Sequence, residues 1–360
     1  MPISKIQANS LADSAIHGQR NLIINGAMQV AQRGTSSTSG GYGSVDRFRT
    51  IKNNFDELVL THEQVTDAPT GFSNSLKYTV STPETTMDAD ENARIEYRIE
   101  GQDLQHLKKG TSDAVSLSLS FWVKGSITGT YIAMLADNDN SRNICASYTI
   151  NSANTWEYKT LTYAGDTTGT LDNDNLFSFA VRFWLGAGTD RTSGTLATSW
   201  QANVPADVAV GQTNILTTSG ATFQITGIQL EVGEATPFEH RSYGDELARC
   251  QRYFEGGTRA NASHTGNAGL IWTQKNNSSS RSFPQMNAEY KVFKRATPTV
   301  TIESGQDGTA NRISGYSSGT NYTVTSIEGP SPSYVCSYFQ TTGGLPDQIT
   351  AGYYTADAEL

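Results

Sequence analysis

Cysteine is scarce in this chain of 360 residues, which has only three: Cys145, Cys250 and Cys336. They lie far apart and are odd in number, so we predict neither a disulfide framework nor a zinc site and expect three small buried side chains. Positive charge is scarce too, since the formal net charge is −9 and the sequence contains no basic run. A chain of this charge is not expected to bind nucleic acid or an anionic membrane surface.

Long apolar segments are also missing, because no run approaches the roughly 18 residues that a membrane-spanning helix needs. Residues 1–20 lack the apolar core of a secretory signal, so we expect a protein made in the cytoplasm and not inserted into a membrane. This segment carries four isoleucine or leucine residues among mostly polar ones: Ile3, Ile6, Leu11 and Ile16. It is too short to bury them by itself, so it either stays solvated or docks on a partner, and we favour a docking arm.

What the chain does contain is alternation of apolar and polar residues. In the stretch 116–124, the residues Leu117, Leu119, Phe121 and Val123 alternate with serines, Trp122 and Lys124. A period of two predicts a strand with one buried face, and that pattern is typical of antiparallel sheets. Residues 176–185 repeat it, and in 223–232 the apolar phase changes across Gly227, which predicts a β-bulge.

The order of these segments predicts an all-β chain. About ten short strands without βαβ spacing predict a jelly-roll β-sandwich over 21–241, whose first strand is expected at 21–32. Residues 242–257 read as a linker helix, since Ser242 can cap it and Gly256 and Gly257 can end it. Residues 258–360 are again strand-like and predict a second, smaller β domain.

Three stretches resemble a recurring module of virion structural proteins in tailed bacteriophages. They are NLIINGAMQVAQRGTS at 21–36, SLSLSFWVKGSITGTY at 116–131 and ITGIQLEVGEATPFEHRSYGDELARCQRYFE at 225–255. The resemblance implies a jelly roll similar to carbohydrate-binding modules, located in the virion and assembled as a homo-oligomer, often a trimer. It implies contacts with other virion proteins of the tail, baseplate or capsid. Two roles stay open: a tail fibre that attaches to host surface glycans, or a capsid decoration or head-fibre protein that stabilises the shell.

Four residues are candidates for carbohydrate binding: Trp122, Lys124, Arg182 and Trp184. Both tryptophans occupy the minority phase of their strands, opposite the predicted core face, beside a cationic residue. Exposed aromatic rings on the open face of a sandwich can stack on sugar rings while polar neighbours bind hydroxyl groups. The alternative is that the indoles fill a second core layer or a subunit interface.

Two aspartate–asparagine runs raise the question of a structural calcium ion. Asp137 and Asp139 belong to the first run, and Asp172 and Asp174 to the second. Calcium binds six to eight oxygen ligands, but aspartate and asparagine are also the usual residues of plain turns, and we favour turns.

No other cofactor and no catalytic site are predicted. The five histidines have neither metal-ligand nor triad spacing. A carboxylate pair for glycoside cleavage is a property of the fold that spacing along the chain does not reveal. We therefore predict a protein that is not an enzyme.

Overall fold

The computed structural model describes residues 20–256, 271–275, 281–284, 289–315, 320–336, 338–341 and 349–360. The predicted docking arm, with Ile3, Ile6, Leu11 and Ile16, lies outside the described residues. The chain divides into two compact units, the first ending at Tyr243 and including Leu360, the second running from Gly244 to Glu359. In the described part of the chain, no helix combines the length and apolarity needed to cross a membrane.

The first unit contains two six-stranded antiparallel sheets. Sheet A has the strand order β1 (Ser36–Ser37), β3 (Val59–Val65), β4 (Ser75–Thr82), β12 (Thr222–Val232), β6 (Leu117–Gly125) and β9 (Glu157–Tyr163). Sheet B has the order β11 (Gln201–Ala202), β8 (Arg142–Ile150), β7 (Gly129–Asp137), β10 (Phe177–Ala187), β5 (Asn92–Glu100) and β2 (Phe48–Asn53). Two 3₁₀ turns, Gly101–Leu107 and Pro205–Asp207, and a short helix α1 (Thr189–Thr192) lie in the connections.

The core forms between the inner faces of the two sheets, as the alternating pattern predicts. The four apolar residues of β6, namely Leu117, Leu119, Phe121 and Val123, are buried in it. From sheet B, Phe179, Val181 and Phe183 join the same cluster, and the Phe121 and Phe183 rings lie 5.0 Å apart edge to face. The prediction of an all-β sandwich is therefore confirmed.

The predicted bulge at Gly227 is confirmed as well. Pairing of β12 with β6 shifts register between Thr226 and Gln229, and Gly227 has a φ of 61°. A Cβ at Gly227 would come within 2.7 Å of the Phe72 ring. Glycine meets both demands, since it adopts positive φ and allows the close approach.

The predicted first strand at 21–32 is wrong. This segment contains turns, and Asn25 and Met28 have positive φ. Its backbone instead bonds to β12, through Leu22 N to Leu230 O (2.9 Å) and Ile228 N to Gly26 O (3.0 Å). Because a Cβ at Gly26 would lie 2.2 Å from the carbonyl oxygen of Ile228, this glycine lets the turn sit directly on the strand.

In the residues that are described, the second unit is a sheet with one helix. Helix α2 (Tyr243–Gln251) precedes the strands β13 (Phe254–Gly256), β14 (Ile271–Lys275), β15 (Arg281–Pro284), β16 (Thr299–Ser304), β17 (Arg312–Gly315), β18 (Asn321–Glu328), β19 (Tyr338–Thr341) and β20 (Ile349–Asp357). The helix is shorter than the predicted 242–257, because Phe254–Gly256 leaves it to pair with β20, with Phe254 opposite Asp357. All but the first residue of the helix belong to the second unit.

Candidate functional site: a cleft between the edges of the two sheets

An open cleft of about 720 Å³ lies where the first unit's chain leaves β9 of sheet A on its way to β10 of sheet B. Strand β8 and the end of β9 form two of its sides, and the segments 164–168 and 198–200 complete it. Its hydroxyl-bearing lining residues are Ser147, Thr162, Tyr163, Thr167, Thr168, Thr198 and Ser199. A cleft of this size matches the volume of small-molecule sites, which is about 300–1,000 Å³.

An ion pair fixes one side of the cleft. Arg142, the first residue of β8, donates from Nε and Nη2 to the two carboxylate oxygens of Asp166, at 2.8 and 3.0 Å. Burial alone would raise the pKa of Asp166, but hydrogen bonds from Arg142 and Lys109 outweigh it and lower the pKa below its usual value. The carboxylate is therefore ionised at neutral pH and accepts hydrogen bonds.

Lys109 holds the Arg142–Asp166 pair from its buried side. Its buried ammonium group donates to Asp137, lies 3.0 Å from Asp166 Oδ2, and donates to the carbonyl oxygens of Thr168 (3.0 Å) and Gly169 (2.8 Å). A buried charge with this many partners is fixed in position, because a hydrogen bond lost in the interior is not replaced by one to water. Asp166 is thereby held in place from both sides.

Trp200 supplies the aromatic wall. Its Nε1 donates to the carbonyl oxygen of Ala164 at 2.7 Å, the Lys109 ammonium lies 5.3 Å from the ring centre, and the Phe179 ring lies 6.0 Å away. The indole is half-buried and its orientation is set by these contacts. A fixed aromatic ring beside hydroxyl groups and an ion pair can bind a hydroxylated ring compound, with the indole contacting its C–H groups and the polar groups its hydroxyls.

The acidic group of the cleft does not favour glycoside cleavage. A glycosidase uses two carboxyl groups, one of which must hold a proton. Among the described residues lining the cleft, Asp166 is the one acidic side chain, and its lowered pKa opposes the role of a proton donor. The arrangement suits binding better than hydrolysis.

The structure separates the four residues predicted to bind carbohydrate. Trp122 and Lys124 lie on the outer face of sheet A, where the Trp122 ring is 5.4 Å from that of Tyr158. Lys124 pairs with Asp67, which also accepts a hydrogen bond from Trp156 Nε1 at 3.2 Å. This outer face is open and remains an alternative surface for a sugar.

Arg182 and Trp184 lie on sheet B instead, and Trp184 follows the alternative in which an indole fills a second core layer. Trp184 is 2% exposed and packs in a second cluster with Leu196, Ala197, Val208 and Ala209. The chain between β10 and β12 thus covers this indole, which leaves no ring face for a sugar. Arg182 donates from Nε to Glu96 at 2.8 Å.

The two aspartate–asparagine runs lie side by side. Asp139 Oδ2 accepts a hydrogen bond from the backbone N–H of Asp172 (2.9 Å), which joins the two runs. Asp174 Oδ1 accepts one from the backbone N–H of Leu176, two residues further on (2.9 Å), as in an ordinary turn. Asp137 is buried against Lys109. Within the described ranges, no group of three or more His, Cys, Asp and Glu side chains is arranged to hold a metal ion, and calcium binding stays a prediction.

Sequence reasoning missed the cleft residues. Trp200 is separated from Lys109 and Arg142 by many residues and several strands, and no motif links them. The run Thr198-Ser199-Trp200, in which an indole follows two hydroxyl side chains, is the one local signal that could have drawn attention to this place.

No family model and no curated protein matches the chain. Among solved structures, it is similar to the enzymatically active domain of tailspike protein 4 of bacteriophage CBA120, with a TM-score of 0.33, 14% identity, and coverage of 59% of this chain and 22% of that one. It is also similar to a CBM4 structure (TM-score 0.30, 12% identity, 58% of this chain, 98% of that one). A third is the family 11 carbohydrate-binding module of a cellulosomal cellulase of Clostridium thermocellum (TM-score 0.29, 14% identity, 58% and 99%). Likenesses at these TM-scores assign neither a family nor a function.

Proposed function

We propose that this protein is a non-enzymatic saccharide-binding protein whose first unit binds a glycan in the cleft beside β8. The observation that carries the proposal is the cleft itself, in which the Trp200 indole, the Arg142–Asp166 pair and several serine and threonine residues line one open space. Each of these groups matches a part of a sugar, which has an apolar C–H face and a polar rim.

The supporting groups are pre-organised. Arg142 and Asp166 orient each other through two hydrogen bonds, and Lys109 holds Asp166 from the buried side. Binding therefore costs little side-chain ordering at these positions. A single open cleft gives modest affinity, and display of several copies would raise the overall avidity.

The biological setting we propose is host attachment by a bacteriophage virion. The proposal extends the resemblance of residues 21–36, 116–131 and 225–255 to virion proteins: a homo-oligomer, as a trimer, would sit on a tail through residues 1–20 and present the clefts to host glycans. A capsid decoration protein would instead be present in hundreds of copies per particle, so the copy number in purified virions separates the two roles.

The test of the cleft compares two tryptophans. Purified wild type and the variants Trp200→Ala and Trp122→Ala are applied to an array of bacterial surface glycans, and the affinity for each bound glycan is measured. Removal of Trp200 is expected to weaken binding about tenfold or more, since loss of a stacked ring costs on the order of 1.4 kcal/mol. Trp122→Ala, on the outer face of sheet A, is expected to bind like the wild type.

Thermal unfolding of each variant separates lost binding from lost folding. If Trp122→Ala abolishes binding and Trp200→Ala does not, the glycan site lies on sheet A and the cleft proposal is wrong. If the oligomeric wild type binds no glycan on the array, saccharide binding itself is rejected.

A further inference from the structure

Four arginines converge on one carboxylate on the outer face of sheet B. Glu96 of β5 lies directly opposite Arg182 of β10 on one side and Arg49 of β2 on the other. Arg94 and Arg98 precede and follow it by two positions on the same strand, so all five side chains share one face. We call these residues the arginine cluster: Arg49, Arg94, Glu96, Arg98 and Arg182.

Part of the donor capacity of the cluster has no acceptor among the residues that the structure describes. Arg182 donates to Glu96 through Nε alone (2.8 Å), and Arg49 reaches it through Nη1 at a long 3.3 Å. Arg94 donates from Nη1 to Asn92 (2.8 Å), while its Nε is buried with no acceptor among the described residues. Because each guanidinium carries five N–H donors, the partly exposed Arg49 and Arg182 keep donors for which the described residues provide no acceptor.

Arg98 is the most fully engaged member. It donates from Nε to Glu96 (2.7 Å) and from Nη1 to the main-chain oxygen of Leu360 (2.7 Å), and its guanidinium lies 4.4 Å from the centre of the Phe177 ring. It therefore forms one border of the cluster, next to an aromatic surface.

The cluster carries an excess of positive charge in an acidic protein. Four guanidinium groups face one carboxylate, so three positive charges lack a countercharge within it, although the chain as a whole carries −9. Burial lowers the pKa of Arg94 to about 10, and the positive charge of Arg182 contributes a smaller part of that lowering. Like charges on neighbouring strands destabilise a sheet, and a bound anion would relieve that cost.

The cluster is partly open to solvent. The side chains of Arg49, Arg94, Arg98 and Arg182 are 31%, 15%, 20% and 20% exposed, whereas that of Glu96 is 1% exposed. The carboxylate therefore lies at the base and the guanidinium groups surround it. An incoming anion would meet guanidinium groups first.

We propose that the arginine cluster is a second binding site of the sandwich, which takes the carboxylate of an acidic saccharide. The planar fork of arginine matches the two oxygens of a carboxylate. At the same end of β2 and β5, Asn53 and Asn92 form an amide pair, with Asn53 Nδ2 donating to Asn92 Oδ1 at 3.3 Å. Asn92 is buried and also bonded to Arg94 and to the Asp90 carbonyl oxygen. The exposed amide of Asn53 is therefore the group that suits a ligand with hydroxyl groups next to its carboxylate, as in a uronic acid.

The site is independent of the cleft. Its residues come from β2, β5 and β10, whereas the cleft is lined by β8, β9 and two connecting segments. A long polyanion such as nucleic acid is disfavoured by the net charge of −9, while a short acidic saccharide interacts with the cluster alone.

The test measures binding of trigalacturonic acid to the full chain by titration calorimetry. Its methyl-esterified form has the same rings without the charges and serves as the ligand control. The variants Arg49→Gln and Arg182→Gln each remove one guanidinium, and Lys77→Gln removes a positive charge from the outer face of sheet A, where Lys77 pairs with Glu63, as the protein control.

Trigalacturonic acid is expected to bind the wild type, and the methyl ester at least tenfold more weakly. Arg49→Gln and Arg182→Gln are each expected to weaken binding about tenfold, the usual effect of losing one charge-assisted hydrogen bond, while Lys77→Gln has no effect. Glu96→Gln, which removes the competing carboxylate, is expected to strengthen binding. Added salt weakens binding in every protein that binds.

Four results would overturn the proposal. They are absence of binding to the wild type, equal binding of the acid and its ester, full binding by both arginine variants, and tighter binding of a single-stranded DNA oligonucleotide or inorganic phosphate than of the uronide. Because Trp200→Ala leaves the cluster intact, it must still bind the uronide. A failure of cleft binding is thereby distinguished from a failure of this site.

Discussion

The outer faces of the two sheets share the same alternating sequence pattern, but their outward tryptophans differ in exposure. On sheet A the outward Trp122 is half-buried, beside Tyr158 and the Lys124–Asp67 pair. On sheet B the outward Trp184 is 2% exposed, beneath apolar residues of the chain between β10 and β12. Alternation decides which side chains leave the central core, but the route of a later connection decides whether they meet solvent.

The outer face of sheet B also concentrates positive charge, whereas the outer face of sheet A does not. The open face of sheet A balances its charges in local pairs, such as Lys77 with Glu63 at 3.2 Å. On sheet B, the part of the face beyond the connection holds the arginine cluster around Glu96. Substitutions that change packing and substitutions that change charge therefore both test the difference between the two faces.

The largest expected difference is in the packing of the two indoles. Trp184→Ala is expected to lower the free energy of unfolding by about 4 kcal/mol, because a buried aromatic side chain is replaced by a cavity. Trp122→Ala is expected to cost about 1 kcal/mol. Urea unfolding of both variants measures the difference, and equal losses would show that the connection does not cover sheet B.

A third variant refines this comparison. The Nε1 of Trp184 is buried and has no acceptor among the residues that the structure describes. Trp184→Phe removes that unpaired N–H while keeping a ring, so it is expected to retain most of the wild-type stability.

The next difference concerns a buried and an exposed lysine. Lys109→Met is expected to cost about 3–4 kcal/mol, because it leaves Asp137 and part of Asp166 without their partner in the interior. Lys124→Met removes a pair in which Asp67 is 51% exposed, and the expected cost is below about 1 kcal/mol. Similar losses in urea unfolding would contradict the distinction between the two sites.

A smaller side chain at the same position, Lys109→Ala, sharpens the question of calcium. Loss of the whole side chain leaves oxygens of Asp137, Asp166, Thr168 and Gly169 around one space, and such oxygens are calcium ligands. Calcium is therefore expected to raise the thermal unfolding temperature of Lys109→Ala and not that of the wild type. An equal rise in both proteins would instead support a site at Asp139, Asp172 and Asp174.

The sequence was sufficient to predict what depends on local periodicity. Leu117 to Val123 are buried on one face because a strand alternates, and the bulge at Gly227 follows from a change of phase in the same pattern. The turns at 21–32 were not predicted, because the apolar residues of this segment are typical of a strand. Its hydrogen bonds to β12 join residues about 200 positions apart in the chain, which a local pattern does not reveal.

The candidate sites could not be predicted, because each is assembled across strands. No basic run exists in the sequence, yet Arg49 lies 47 residues from Glu96 and Arg182 lies 86 residues from it. Pairing of β2, β5 and β10 brings them together. Trp200 likewise gains its role only when the segment 198–200 meets the end of β9.

The smallest expected difference between the faces is in their response to acid. Burial alone would raise the pKa of Glu96, but the charges of Arg182, Arg98 and Arg94 outweigh it and lower the pKa to about 2. In the unfolded chain a glutamate has a pKa of about 4.3. Ionised Glu96 therefore stabilises the fold above that pH, and its contribution disappears as the pH falls towards 2. We expect a loss of about 2–3 kcal/mol across this interval.

Urea unfolding at a series of pH values measures this contribution. Glu96→Gln is expected to be less stable than the wild type at neutral pH and to show a shallower fall between about pH 4.3 and 2. Asp67 on the open face is the matched control: a hydrogen bond from Lys124 lowers its pKa, but its side chain is 51% exposed and solvent screens the interaction. Asp67→Asn should therefore keep the wild-type slope, and if it flattens the slope as much as Glu96→Gln does, the arginine cluster has no special electrostatic role.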